Sequence, residues 1–538
     1  MSISARDLIT AAVDVGLVTR DQAEDVGLEV RRTGGDQLEL LMKRCRAPKA
    51  AFYRAMAHVM KIPFLDLSSY EVPSDWLESL HAPLLARSRA LPVRLEGDRV
   101  LCAAADPSDP SLEATLQRML GRPVQLGLAE PELLDIQLAR LLDPGSDAVL
   151  GSSDPVEYMD GLMYQAYIHR ASDIHIEPAE HACEVRFRVD GALQSIVKGI
   201  SHDDGQALIS RVKVLAGLDI SEQRAPQDGG FSYEGLDSGG TQIDVRVATL
   251  PTRWGERATL RLLGAAREAL TLDALGMGEE DVNRFRRVIR KPYGMILLTG
   301  PTGSGKTTTL YAALEEIRNP ELNIMTVEDP IEQPLEGSSQ VQVVSEKVGF
   351  TTALRAFLRH DPDVLMVGEI RDPETTDVAL KAAMTGHLLL SSLHTNDAVS
   401  AVTRLRDLGA PAFLIGSSLL LVVAQRLVMR LCEVCREERS ATKDEIKFFN
   451  FEEGAKVWEP TGCPRCLGSG YSGRIGLFEF LPINERVSEL IAADALEGQI
   501  REAAGEELTS FYDDGRAKVL SGMTTAQEIR RIVDFRVM

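Results

Sequence analysis

The chain has 538 residues, 44% of them hydrophobic and 26% charged, enough for about three or four domains. That composition excludes wholesale disorder and collagen-like or low-complexity chains and points to a soluble globular protein. A net charge of −21 repels phosphate backbones and acidic membranes, so nucleic acid is a poor choice of substrate.

Residues 1–20 carry scattered Asp and Arg and no uninterrupted apolar segment, which does not read as a secretory signal, so a cytoplasmic protein is expected. Residues 5–62 read as short helices, with apolar residues at three- and four-residue spacing through Leu38 and Leu41 and later through Phe52, Met56, Val59 and Met60. From Ala90 to Leu142 the pattern becomes a hairpin (Leu91 to Leu95, Val100 to Ala104), a helix after Ser111, a strand at Val124 to Leu128 and a further helix. Asp143 to Pro155, with two Gly, two Pro and three Ser, has linker composition.

A second α/β module begins at Ser172. Alternation in Asp173 to Glu177 and in Glu184 to Val189 predicts paired strands, Gly205 to Leu218 predicts a helix, and two later strands carry Arg246 and Arg261. After a connector at Leu263 to Leu275, apolar runs at Met295 to Leu298, Ile324 to Val327, Val364 to Val367 and Leu388 to Leu393 alternate with helical segments. This is the pattern of a buried parallel sheet flanked by helices. The longest apolar stretch, Leu414 to Val423, is interrupted by Gly416, Ser417 and Ser418 and falls short of the roughly 20 residues of a membrane helix, so membrane association is expected to be peripheral.

Between the first of those strands and the next helix, Gly300-Pro301-Thr302-Gly303-Ser304-Gly305-Lys306-Thr307 fits the phosphate-loop pattern, with Thr308 following. Its glycines let backbone N–H groups wrap phosphates, Lys306 neutralises them, and the Thr307 hydroxyl reaches magnesium. Asp361-Pro362-Asp363, the strand Val364 to Val367 and Gly368-Glu369 form the layout of a Walker B segment. Glu369 there either acts on the magnesium-bound or attacking water or pairs with Arg371. Glu328 to Glu332 add carboxylates on the same sheet edge, while His387 and His394 bracket another strand. Four of the seven cysteines form Cys432-x-x-Cys435 and Cys463-x-x-Cys466, with 27 residues between the pairs. Two such knuckles can close a structural tetrahedral zinc site, with iron or unliganded thiols as alternatives.

Taken together these residues resemble the secretion ATPase superfamily, in its assembly branch of type II secretion and type IV pilus extension ATPases. The resemblance covers roughly residues 90 to 490. Its carriers are Ala171 to Pro178, Pro226-Gln227-Asp228-Gly229, the phosphate loop, Val327 to Glu332, Arg359 to Asp372, Thr385 to Asp397, Ala424-Gln425-Arg426-Leu427 and the paired cysteines followed by Gly473-Arg474-Ile475-Gly476. It implies that Glu332 is the catalytic carboxylate of the Asp box, Glu369 the Walker B glutamate and His394 the residue near the γ-phosphate. Arg246 and Arg261, it implies, are inserted at a neighbouring subunit's nucleotide. His360 stands where the family usually has Gln, and the first 60 residues lack an Arg-Leu-Gly opening of the cyclic-di-GMP-binding type.

The expected fold is α/β, a RecA-like motor preceded by a PAS-like α/β domain and an N-terminal α/β module. The divisions are 1–145 for the N-terminal docking module, 146–265 for linker and PAS-like domain, 266–425 for the motor, 426–480 for a tetracysteine zinc insertion and 481–538 for a helical C-terminal region. The resemblance implies a cytoplasmic homohexamer that uses ATP and Mg2+ and carries Zn2+. It would be recruited to the inner face of the membrane by an inner-membrane platform protein and a membrane-anchored docking protein, to power assembly of pilin-like filaments without binding nucleic acid. A nucleotide-gated scaffold with little turnover and a type IV secretion ATPase are the alternatives.

Overall fold

The computed structural model describes the chain except residues 1–2, 34–36, 46, 68–84, 86–87, 142–153, 234–242, 264–270, 345–346 and 534–538. The expected linker at Asp143 to Pro155 lies, up to residue 153, outside the described residues, as does 264–270 of the expected connector. The chain forms two compact units, 1–267 and 268–538, except that Cys463–Gly468 groups with the first.

The first unit opens with helices Ala5–Asp14, Arg20–Thr33, Gln37–Cys45 and Lys49–Met60, as their apolar spacing predicts. Leu8, Leu41 and Phe52 are their buried contacts, and Ser4 and Asp7 cap the first helix reciprocally. Strands β1 (Ala90–Glu96) and β2 (Arg99–Ala104) form the expected hairpin, and helix Pro110–Leu120 crosses to β3 (Val124–Leu128), which pairs parallel to β2.

Among the described residues, six further strands make one antiparallel sheet. They are β4 (Ala171–Pro178), β5 (Cys183–Val189), β6 (Ala192–Ile200), β7 (Gln227–Tyr233), β8 (Ile243–Thr252) and β9 (Gly255–Leu263), in the order β6-β5-β4-β9-β8-β7. Strict alternation puts Ile174, Ile176, Phe187, Val245, Val247 and Leu260 in the core with Leu162 and Met163 of helix Pro155–Ile168 and Leu208 and Val212 of helix His202–Leu215. That last helix starts three residues before the expected Gly205, because the Ser201 hydroxyl accepts from Asp204 N at its N-terminus. Within this packing Lys213 is buried and donates to Glu256 at 2.7 Å and to the Glu222 carbonyl at 2.6 Å, which offsets the cost of burying its charge.

The second unit is a sheet between two helical layers. Its strands are β10 (Gly294–Thr299), β11 (Ile324–Glu328), β12 (Ser338–Gln342), β13 (Val364–Val367), β14 (Leu388–Leu393), β15 (Leu419–Leu431) and, after a two-stranded ribbon of β16 (Arg436–Ser440) and β17 (Lys456–Pro460), β18 (Tyr471–Pro482). The order is β12-β11-β13-β14-β10-β15-β18; all pairings are parallel except that of β18 with β15. Alternate residues of β10 serve separate cores, Met295 and Leu297 on one face and Ile296 and Leu298 on the other. A strand buried on both faces reads as a continuous apolar run, as β10 and β13 do; β14 is buried throughout but carries Ser391 and Ser392, whose hydroxyls donate to the Val367 and Gly368 carbonyls at 2.7 and 2.8 Å.

The apolar stretch Leu414 to Val423 is not one element. Helix Ala412–Ser418 ends where Ser417 and Ser418 donate back to the carbonyls of Phe413 and Leu414 at 2.8 and 2.7 Å, and β15 starts at Leu419. The strand runs to Leu431, so the expected division at 425/426 falls inside it. Its outer half is held by β18, whose Tyr471 pairs with Leu431. Helices Glu485–Ala492, Glu497–Ala504, Phe511–Leu520 and Ala526–Val533 follow. No helix among the described residues is long and apolar enough to cross a membrane.

Candidate nucleotide site and metal centre

The loop after β10 is shaped by glycines. Gly300, Gly303 and Gly305 have φ of 148°, 76° and 87°, a region costly for residues with a Cβ. At Gly300 a Cβ would lie 2.4 Å from the Gln425 carbonyl oxygen, and at Gly305 one would lie 2.8 Å from Gln425 Nε2. Inside this cradle the Ser304 hydroxyl is buried without a hydrogen-bond partner among the described residues, an unusual debt for a polar atom unless a ligand settles it. Helix Lys306–Ile317 begins at the loop's end, so its unpaired N–H groups and positive dipole end face the same space. A loop with this cradle, this orphaned hydroxyl and this cation fits a nucleotide's phosphates.

Lys306 is 8% exposed and donates to the carbonyls of Gly300 and Pro301 at 2.8 and 3.1 Å. Burial holds its ammonium below the ordinary lysine range; Glu369 opposes that shift and Arg426 adds to it. Thr307 is half-buried and Thr308 exposed on the first turn of the helix.

Glu369 lies just beyond β13, and the pairing with Arg371 is present. One carboxylate oxygen pairs with Arg371, while the other meets His394 Nε2 at 3.2 Å. His394 follows β14, and its segment is tied to the strand that feeds the phosphate loop: Thr299 and Thr395 hydroxyls are 2.7 Å apart, and Thr395 N donates to the Thr299 hydroxyl at 2.9 Å. Thus Lys306, Glu369 and His394 come together at the carboxyl ends of β10, β13 and β14, where ligands of open α/β sheets bind. His387 lies just before β14, at the opposite end of the strand from His394, and its Nδ1 is 3.0 Å from the Ala382 carbonyl, a structural contact.

The carboxylates after β11 divide. Glu328 is 3% exposed and is closed off by Tyr311, Thr326 and Gln340, at 2.5, 2.6 and 3.1 Å. Glu332 is exposed four residues on. Gln425 was expected only as part of a motif, with no role. It is 2% exposed, accepts from the Thr309 hydroxyl at 2.8 Å and backs the glycines of the loop. Its neighbour Arg426 donates to Asn396 at 3.1 Å. Lone polar residues in the apolar run of β15 were the available signal.

The four cysteines also converge. The Sγ atoms of Cys432, Cys435, Cys463 and Cys466 all lie within 4.8 Å of one another, and none is in a disulfide. Sulfurs bound tetrahedrally at about 2.3 Å stand about 3.8 Å apart, and Cys463 and Cys466 are at 3.7 Å. Four thiols with no open corner fit a structural zinc ion. Burial pushes the Cys102 thiol up to about 12 and Cys183 up to about 11, which leaves both as inert thiols at neutral pH.

Arg246 and Arg261 belong to the first unit, on the outer face of the antiparallel sheet. They are directly opposite each other on β8 and β9. Arg261 Nε pairs with Asp173 at 3.0 Å, whereas Arg246 is exposed and makes no side-chain hydrogen bond or ion pair among the described residues.

Residues 151–531 match the family described as type II/IV secretion system protein, and residues 60–148 match the MshEN domain. The chain is 47% identical to the type II secretion system ATPase E of Vibrio cholerae over 396 residues, covering 72% of this chain and 78% of that one. It is 41% identical to the type II secretion system protein E of Klebsiella pneumoniae over 500 residues, covering 91% and 97%. In fold it is similar to the Legionella pneumophila ATPase DotB, with a TM-score of 0.53 at 22% identity over 71% of this chain and 96% of that one.

Proposed function

Because the chain belongs to the type II/IV secretion system protein family, as a secretion ATPase that hydrolyses ATP, we propose that it works as a homohexamer on the cytoplasmic face of the inner membrane, driving assembly of pilin-like subunits through a platform protein. In this reading Lys306 neutralises the β- and γ-phosphates against the loop's N–H groups. Glu332 orients the attacking water, and His394, held by Glu369, contacts the γ-phosphate. The Thr307 hydroxyl and Glu369 would hold Mg2+, which supplies charge neutralisation at the phosphates. Zinc at the four cysteines would stiffen the cysteine-bearing segment and take no part in the chemistry.

Arg246 and Arg261 would complete the site of the next subunit, so that nucleotide state is read as closure of one subunit's antiparallel sheet onto the next subunit's motor. The observation that carries this shared site is Arg246, an exposed cation directly opposite a second arginine. Like charges directly opposite each other across strands are destabilising, a cost that a partner's phosphate would reverse. The test mixes Arg246→Ala chains with Glu369→Gln chains and measures phosphate release. Mixed rings should regain turnover above both parents, since some sites then draw an intact half from each chain. Mixed rings that exchange subunits yet stay as inactive as their parents would refute the shared site.

A further inference from the structure

Beyond the residues already placed at the phosphates, a buried acid lies on β18, beside the strand that carries Gln425. Glu479, in the middle of β18, is 0% exposed within the apolar run Gly476 to Leu481. A carboxylate in such a place needs strong partners. Its Oε1 accepts from Ala398 N at 3.0 Å, the first residue of helix Ala398–Asp407, and Arg501 Nη2 is 3.8 Å away. Arg501, on helix Glu497–Ala504, also lies 3.6 Å from Asp397, whose carboxylate caps the same helix through Ser400 N at 2.8 Å. One helix start is therefore gripped from inside by Glu479 and from outside by Asp397, with Arg501 joining the two acids.

That helix start is the far end of the segment His394-Thr395-Asn396-Asp397. Its near end is fixed by Thr299, and Arg426 donates to the Asn396 carbonyl at 3.2 Å. Glu479 pairs in register with Ala424, one residue before the Gln425 that backs the phosphate loop. The β15–β18 hairpin thus reaches both walls of the nucleotide site, the loop through Gln425 and the histidine segment through Glu479.

We propose that Glu479 is a positioning residue for ATP hydrolysis: its contact with Ala398 N, balanced by Arg501, sets where the His394 segment stands over the γ-phosphate position. The proposal rests on the reading of His394 given above. Displacing a group by about 1 Å in a reacting assembly can cost up to about a hundredfold, whereas nucleotide binding through the phosphate loop, which Gln425 supports separately, is left intact.

The test uses the full chain. Glu479→Gln and Arg501→Ala should keep the KM for ATP and the affinity for nucleotide within about twofold and lower kcat by roughly tenfold or more. Adding Glu479→Gln to His394→Ala should lower kcat no further than His394→Ala does. If Glu479→Gln does not fold, Arg501→Ala carries the test, because Arg501 is more than a third exposed and its removal leaves no cavity in the core. Wild-type kcat in the folded variants, an equal loss in nucleotide affinity, or losses that multiply with His394→Ala would each overturn the proposal. Full turnover in His394→Ala beside a slowed Glu479→Gln would instead refute the role of His394 and leave Glu479 acting through another group of the segment.

Discussion

The parallel sheet of the second unit and the antiparallel sheet of the first both display rows of charged groups, but they use them differently. At the carboxyl edge of the parallel sheet the groups interlock within one chain: Lys306 on the loop carbonyls, Glu369 between Arg371 and His394, Thr299 with Thr395, and Gln425 with Thr309. On the outer face of the antiparallel sheet, two carboxylates are each bracketed by two arginines, Glu177 by Arg186 and Arg257 and Asp173 by Arg188 and Arg261. Arg246 is the addition to that face. A strand edge with loops and helix starts can fold around a ligand, whereas a flat ladder of side chains presents its surplus charge outward. The first kind of site is mostly complete in one chain; the second, in the function proposed above, is completed by another subunit's surface.

The largest effect should come from the edge. Lys306→Ala should abolish turnover, by about 10³-fold or more, and weaken nucleotide binding, while Glu369→Gln should abolish turnover with nucleotide still bound. Phosphate release measured beside nucleotide binding decides it, and full turnover in either variant removes the assignment.

Breaking the comparison from the other side, Arg246→Ala and Arg261→Ala should each lower turnover on the order of 10³-fold with nucleotide binding retained. They should part in stability. Arg261→Ala leaves Asp173, with a side chain 6% exposed, to Arg188 at 3.7 Å and the Ser172 hydroxyl at 2.8 Å, so its melting temperature should fall, while Arg246→Ala should melt as the wild type does. Unchanged turnover in Arg246→Ala would return both arginines to a purely local role.

Zinc tests how much of the edge is held from a distance. The β15 strand that carries Gln425 ends at Leu431, and Cys432 N donates to the Gly470 carbonyl at 3.0 Å just before β18. Protein purified without chelator should contain one zinc per chain by elemental analysis. Cys432→Ser should lose that metal and several degrees of thermal stability, and a metal content unaffected by the substitution would sink the site.

The smallest effect belongs to a purely structural pair. Glu445, capping helix Lys443–Phe449, is held down to about 2, first by Arg439 and further by Thr442. Its folded value lies below its unfolded one near 4.5, so its stabilisation is complete above about pH 4.5 and is lost as the pH falls toward 2. Glu445→Gln should cost about 1–2 kcal/mol at neutral pH and flatten the stability profile across that acid interval. Acid unfolding curves of the two proteins should then converge at the low end.

Sequence alone determined what depends on short-range pattern. Alternation marked β4 and β5, largely apolar runs marked β10, β11, β13 and β14, and the glycines and Lys306 marked the phosphate loop, because a few neighbouring residues suffice for each. The two Cys-x-x-Cys knuckles were legible for the same reason. Tertiary structure alone decided the rest. Whether Leu414 to Val423 is helix or strand depends on β10 and β18 as partners, since an apolar run satisfies either period. That Glu328 is sealed by Tyr311 while Glu332 is exposed depends on packing against a helix and a neighbouring strand. Glu479 meets Ala398 across 81 positions of sequence, a distance over which no local pattern carries information. A hydrogen bond that positions a segment is made by whichever strand the fold brings there, and only the folded sheet specifies which one that is.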